Sequence, residues 1–211
     1  MKILFQGDSV TDAGRDRSDP HNMGNGYPKF ASGMIEDAFP EETFEFLNLG
    51  ISGARTENLV SVLESDFVEV QPDIVSILIG INDVWHFYSH GIETTDEQFE
   101  KNYRQVLETI RAKTRAKILM IEPFLVFADD KANMRPHLDR FIEIIRKLAR
   151  EYADAYVPMD GIYAASCVNH GEKPSVYSPD GVHPSEEGAR VLAQAYLSAI
   201  SPLIEELSDE K

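Results

Sequence analysis

The sequence predicts an α/β fold, a three-layer α/β/α sandwich on a five-stranded parallel sheet. Three observations carry that prediction. Strand-like and helix-like segments alternate five times along the chain, the pattern of a parallel sheet with right-handed crossovers and helices on both faces. Residues 73–79 (Asp-Ile-Val-Ser-Ile-Leu-Ile) form an almost continuous apolar, β-branched run, suited to a central strand covered on both sides. No repeat, low-complexity tract or linker interrupts the alternation, so the 211 residues are expected to form one domain with a substantial core.

The elements follow in order. Lys2 to Gln6, with Ile3-Leu4-Phe5 at its heart, is the first strand, and Gly7 ends it. A loop from Gly7 to Gly26 comes next; loops of this length in compact domains are usually functional or disordered. Pro28 to Ala38 is a helix, with Tyr27, Phe30, Met34, Ile35 and Ala38 on one face and Pro28 suited to its first turn. Phe44 to Asn48 is the second strand, ending in Gly50-Ile51-Ser52-Gly53. A helix with Leu59, Val62, Leu63 and Phe67 as its stripe precedes the third strand, residues 73–79, which stops at Gly80-Ile81-Asn82-Asp83.

The next helix is expected at Asp96 to Ala112, with Phe99, Tyr103, Val106, Leu107 and Ile110 inward. Lys117 to Ile121 is the fourth strand, and Leu138, Phe141, Ile142, Ile145, Leu148 and Tyr152 mark the helix after it. Ala155 to Met159 is a short fifth strand. An irregular segment to Pro184 leads into a last helix with Leu192, Tyr196, Leu197 and Ile200 inward. The long connections follow strands one, three, four and five, at the carboxyl edge, where open α/β sheets bind their ligands.

Composition narrows the function. A net charge of −16 repels nucleic acid and anionic lipid, although solubility explains it equally well. No run approaches the roughly 18 apolar residues of a membrane helix. Ile3-Leu4-Phe5 is shorter than the roughly 7–15 residues of a signal-peptide core. Cys167 is the sole cysteine, which rules out an internal disulfide and suits a reducing cytoplasm. With no base near it, Cys167 reads as half-buried packing. His86 and His90 are spaced like metal ligands on a helix, but no third ligand accompanies them and Gly91 follows, so no metal is expected. Phosphate-loop and dinucleotide glycine patterns are absent, and no cofactor is expected.

Four features fall on the carboxyl edge: Ser9 after strand one, Gly53 after strand two, Asn82 after strand three, and Asp180-Gly181-Val182-His183 before the last helix. A serine hydroxyl needs a neutral imidazole to take its proton, and the imidazole needs a carboxylate to hold its tautomer. Asp180, three residues before His183, can fold back onto Nδ1 and leave Nε2 to face Ser9. The Ser9 amide, the Gly53 amide and the Asn82 side chain are candidate oxyanion donors. Each feature has an ordinary alternative: a turn for Gly53 and for Asp180-Gly181, a helix cap for Asn82-Asp83, a surface position for His183. Their joint order at one edge argues against coincidence. Asp8, Asp83 and Arg15 are expected to tie the loops together, and Asp12 to do the same or touch substrate. Trp85, beside Asn82, is a candidate for stacking on a sugar ring or for plain wall packing.

Gly7-Asp8-Ser9-Val10, Gly53, Gly80-Ile81-Asn82-Asp83 and Asp180-Gly181-Val182-His183-Pro184 resemble the four sequence blocks of the SGNH hydrolases, also called the GDSL esterase/lipase family. The resemblance spans essentially the whole chain. It implies a flavodoxin-like SGNH hydrolase fold, with Ser9 as nucleophile, Gly53 and Asn82 as oxyanion donors, His183 as base and Asp180 completing the triad. Gly24-Asn25-Gly26-Tyr27, residues 48–53, residues 79–85 and Val182-His183-Pro184-Ser185 resemble the branch that contains intracellular acetylxylan esterases and sugar O-deacetylases. That finer likeness implies a cytoplasmic serine esterase acting on short-chain, chiefly acetyl, esters of small or oligomeric carbohydrates, with self-association left open. The alternatives are a lysophospholipase or thioesterase for longer chains, an acyltransferase, and a non-catalytic carbohydrate-binding protein of the same fold.

Overall fold

The computed structural model describes residues 1–210. Strands β1 (Lys2–Gly7), β2 (Glu45–Asn48), β3 (Ile74–Leu78), β4 (Lys117–Ile121) and β5 (Ala155–Val157) form one parallel sheet in the order β2-β1-β3-β4-β5. The helices are α1 (Ser9–Asp12), α2 (Tyr27–Ala38), α3 (Thr56–Ser61), α4 (Ile81–His90), α5 (Asp96–Lys113), α6 (Arg135–Tyr152), α7 (Met159–His170), α8 (Pro174–Tyr177) and α9 (Glu186–Asp209). This is the expected three-layer sandwich.

Side chains alternate across the pleat, so each central strand supplies two cores. Leu4, Val75, Ile77, Ile118 and Met120 point to the layer that holds Leu59 of α3, Phe99, Tyr103 and Leu107 of α5, and Phe141 and Ile145 of α6. Ile3, Phe5, Ile74, Leu119 and Ile121 point to the other, against Tyr27 and Ile35 of α2, Tyr163 of α7, and Tyr196 and Ile200 of α9. All five β3 residues are buried, as a strand covered on both faces requires. Among the described residues no helix is long and apolar enough to cross a membrane.

The chain leaves β1 toward β2 on one side and β3 toward β4 on the other. The order therefore switches between β1 and β3, and a crevice opens above their carboxyl ends. Ser9 and Asn82 stand at those two ends.

Four segments differ from expectation. Residues 81–90, expected as part of the long connection after the third strand, form α4, closed by Gly91 at φ +68°; the segment Ile-Asn-Asp-Val-Trp-His-Phe-Tyr-Ser-His holds none of the strong helix formers. Residues 159–170, expected to be irregular, form α7, which buries only Met159 and Tyr163 and so carries almost no amphipathic signal. Pro158, which caps α7, cuts the fifth strand short at Val157. The helix expected through Leu59 and Phe67 breaks at Val62 into α3 and a π-helical turn over Leu63–Val68.

Candidate active site

Asp8 caps α1, its Oδ1 accepting the Val10 amide at 3.0 Å. That one-turn helix starts at Ser9 and holds its hydroxyl at the sheet edge. The histidine comes from the other end of the chain. Asp180 Oδ1 accepts the amides of Val182 (2.9 Å) and His183 (2.7 Å), folding residues 180–183 into a tight loop. Gly181 at φ +85° packs so close to Val126 that a Cβ would lie 2.6 Å from its carbonyl oxygen, which excludes other residues there. Ser178 Oγ donates to the His183 carbonyl at 2.9 Å. Ser185 then caps α9, taking the Gly188 amide at 3.1 Å.

These two loops bring Ser9 Oγ within 2.9 Å of His183 Nε2, and His183 Nδ1 within 2.8 Å of Asp180 Oδ2. A carboxylate oxygen can only accept, so Nδ1 carries the proton and Nε2 is the free base facing the hydroxyl. Burial alone would raise the Asp180 pKa. The hydrogen bonds from the His183 ring and the two amides outweigh it and hold the carboxyl below its ordinary value.

Gly53 lies at φ +81° with open space where a Cβ would be. Asn82 is buried in the first turn of α4, and its Nδ2 donates one proton to the Ala54 carbonyl at 3.0 Å, keeping a second N–H. Ser9, Gly53, Asn82, Trp85, His86 and His183 all line one cavity of about 480 Å³. A second, smaller cavity of about 230 Å³ reaches Ser9 and His183 from the side of Val10, Ala13, Asn25, Tyr27, Pro184 and Ala189. A larger depression, of about 540 Å³, lies along the exposed side of α5.

Two buried carboxylates support these loops. Asp83, fully buried, takes the Thr56 amide and hydroxyl (3.0 and 2.8 Å), joining α4 to α3 just beyond Gly53. Burial pushes Asp83 up to about 6 despite those donors. It pushes Asp8 up to about 7, against the Val10 amide and the attraction of His183, with Asp83 adding repulsion. Arg15 Nε donates to the Gly50 carbonyl at 3.1 Å, a loop tie like the other two.

Asp12 does not line the cavity. It is 3 % exposed, and its carboxylate is occupied by Arg17 Nε (3.0 Å), the Ser52 amide (3.1 Å) and the Gly14 amide (3.1 Å). It anchors the loop preceding Gly53 rather than meeting a ligand. Trp85 does line it, its ring centroid 5.9 Å from that of His183, with the Lys131 ammonium 5.3 Å over the indole. Lys131 gave no signal in the sequence, because only folding brings the turn over Asp129–Met134 onto α4. His86 and His90 have ring centroids 5.5 Å apart on the same wall. Among the described residues no cluster of three or more His, Cys, Asp or Glu could hold a metal ion. Cys167 is half-buried in α7.

Residues 5–191 match the family model of the GDSL-like lipase/acylhydrolases. The chain belongs to that family. As a GDSL-like acylhydrolase it is a carboxylic ester hydrolase. It is 32% identical over 206 residues to an acetylxylan esterase of Geobacillus stearothermophilus, covering 94% of this chain and 93% of the relative. The crystal structure of the acetylxylan esterase Axe2 from that organism superposes with a TM-score of 0.85 at 30% identity, over 93% of this chain and 92% of the other. The GDSL-like acylhydrolase is also 25% identical over 174 residues to thioesterase 1/protease 1/lysophospholipase L1 of Escherichia coli strain K12, covering 81% of this chain and 74% of that one. Other solved structures are of Axe2 catalytic mutants in which a serine, an aspartate or a histidine is replaced by alanine. In Axe2 that aspartate and histidine are three residues apart, as Asp180 and His183 are here.

Proposed function

We propose that this chain removes acetyl groups from carbohydrate hydroxyls through an acyl-enzyme on Ser9. The observation that carries the reading is the unbroken relay from Ser9 Oγ to His183 Nε2 (2.9 Å) and from Nδ1 to Asp180 (2.8 Å). Ser9 attacks the ester carbonyl as Nε2 takes its proton. The Ser9 amide, the Gly53 amide and the free Asn82 N–H receive the oxyanion, each such donor typically worth about 3–4 kcal/mol of barrier. The imidazolium then protonates the leaving sugar oxygen. Water, deprotonated by the same nitrogen, hydrolyses the acyl-enzyme and releases acetate. Asp180 stabilises the imidazolium without accepting its proton.

Two cavities meeting at Ser9 give the acyl and alcohol parts of the ester separate room. The indole of Trp85 offers the sugar an apolar face. Acetyl is favoured over longer chains by the acetylxylan esterase relatives, which cover nearly the whole chain. The thioesterase and lysophospholipase relative keeps a long-chain esterase as the second reading.

Ser9→Ala and His183→Ala should each abolish turnover of 4-nitrophenyl acetate while circular dichroism stays that of the parent. A fluorophosphonate probe should label the parent on Ser9 only. Activity retained by either variant refutes the nucleophile and base assigned here, and faster turnover of octanoate than of acetate esters selects the second reading.

A further inference from the structure

We infer that the cleft on the far side of α4 is a second carbohydrate subsite, which holds a sugar unit of the substrate remote from the ester. The inference rests on the deacetylase reading above. At about 100° per residue, Asn82, Trp85, His86, Ser89 and His90 face the cavity of Ser9, whereas Phe87 and Tyr88 face the opposite way. There they wall a cleft of about 410 Å³ that shares no residue with the catalytic cavity.

The lining is that of a sugar site rather than a lipid groove. Phe87 and Tyr88 are each 40% exposed and stand edge to face, centroids 5.1 Å apart. Both rings also meet the ring of His137, at 5.9 and 6.3 Å, which is 7% exposed at the base of the cleft. Arg140, paired with Asp96 at 3.1 Å, and Asn133 add planar hydrogen-bonding groups beside these rings. Aromatic faces pack on the C–H side of a pyranose while planar polar groups take its hydroxyls, the usual division of labour in a specific polar-ligand site. Glu93, Asp96 and Glu97 at the same cleft, on a chain of net charge −16, disfavour an anionic occupant.

The two sites are coupled through α4 and the turn above it. Trp85 and Tyr88 are one helical turn apart, which places their Cβ atoms about 5–6 Å from one another, near the length of a single sugar ring. The turn over Asp129–Met134 touches both sides: Lys131 lies over Trp85, and Asn133 lines the cleft. An oligosaccharide with its acetylated unit at Ser9 crosses Trp85 and places a neighbouring unit on Tyr88.

The test is the double variant Phe87→Ala/Tyr88→Ala, with kinetics on acetylated xylotetraose, acetylated methyl xyloside and 4-nitrophenyl acetate. The subsite requires kcat/KM to fall at least about tenfold on the tetrasaccharide, through KM, with the two small esters unchanged. Calorimetry of unacetylated xylotetraose against Ser9→Ala should show binding that disappears when the aromatic pair is also removed. Equal loss on all three esters, no effect on the tetrasaccharide, or no binding of xylotetraose to Ser9→Ala overturns the subsite. So does a change in sedimenting mass with unaltered tetrasaccharide kinetics, which makes the patch an interface between copies. If xylotetraose binds through Phe87 and Tyr88 but no acetylated sugar is hydrolysed, the subsite stands and the deacetylase reading falls.

Discussion

Asp180→Asn isolates what the carboxylate contributes, because the surrounding backbone dictates how the amide must sit. In the parent, Oδ1 accepts two backbone amides, from Val182 and His183, while Oδ2 accepts the His183 ring. Asparagine has one oxygen, and two fixed N–H groups compete for it. The oxygen therefore takes the Oδ1 position and the NH2 faces His183 Nδ1. That nitrogen must then be the acceptor, which moves the ring proton to Nε2 and presents Ser9 with a donor instead of a base. A correctly placed histidine in the wrong tautomer costs about ten-thousandfold in kcat, about 5 kcal/mol of barrier. The loop keeps both of its backbone hydrogen bonds, so the fold should be barely affected. The assay is kcat on 4-nitrophenyl acetate, beside a thermal melt to confirm the fold. A variant that retains a tenth or more of parental kcat would refute the tautomer reasoning and, with it, the role given to Asp180.

Three further predictions test the scaffold. Asp12→Ala strips the Ser52 and Gly14 amides of their acceptor; losing these part-buried hydrogen bonds should cost about 1 kcal/mol in chemical denaturation and lower kcat with KM unchanged, whereas a raised KM alone would return Asp12 to substrate contact. Gly188→Ala would place a Cβ 2.0 Å from the Tyr177 carbonyl oxygen, pushing α9 from α8 and disturbing the loop that carries His183; the expectation is about 1–3 kcal/mol of lost stability with reduced kcat, and full activity at parental stability would contradict the packing. Asp8→Asn tests the buried carboxyl. With its pKa raised from 3.8 to about 7, Asp8 stays protonated in the folded chain while the unfolded chain ionises, so its contribution to stability is complete below about pH 4 and is lost as pH rises to about 7. Asparagine still accepts the Val10 amide but does not titrate, so the variant's stability should fall less than the parent's over that range; identical slopes in denaturant melts from pH 4 to 8 would count against a raised Asp8.

Much of the site was legible because the chemistry is carried by residue types at chain breaks. Ser9 and Asn82 each sit where an apolar run stops and the Asp180–His183 pair just before the last helix, and a parallel sheet gathers such positions at one edge. Asp8 was readable as a loop tie because a short polar side chain beside a turn bonds to nearby backbone, whereas the partners of Asp83 and Arg15, Thr56 and Gly50, lie far along the chain and only the fold supplies them. Asp12 was ambiguous, since an aspartate three residues after Ser9 can point into the crevice or away from it. The positions of Arg17 and Ser52, which settle it, are tertiary facts. Helix α7 escaped notice because its small and apolar residues spread around the axis, and periodicity reports a helix only when one face differs from the other; α4 escaped because residues 81–90 hold none of the strong helix formers.

By itself the sequence determined the alternation of strand and helix, the reactive edge and the chemical types that meet there, since all of these follow from local pattern and from the handedness of crossovers. Only the tertiary structure decided which side of α4 each aromatic faces, what covers Trp85, and which groups hold the Asp12 carboxylate. Those depend on distances between groups far apart along the chain, which packing sets and no local pattern contains.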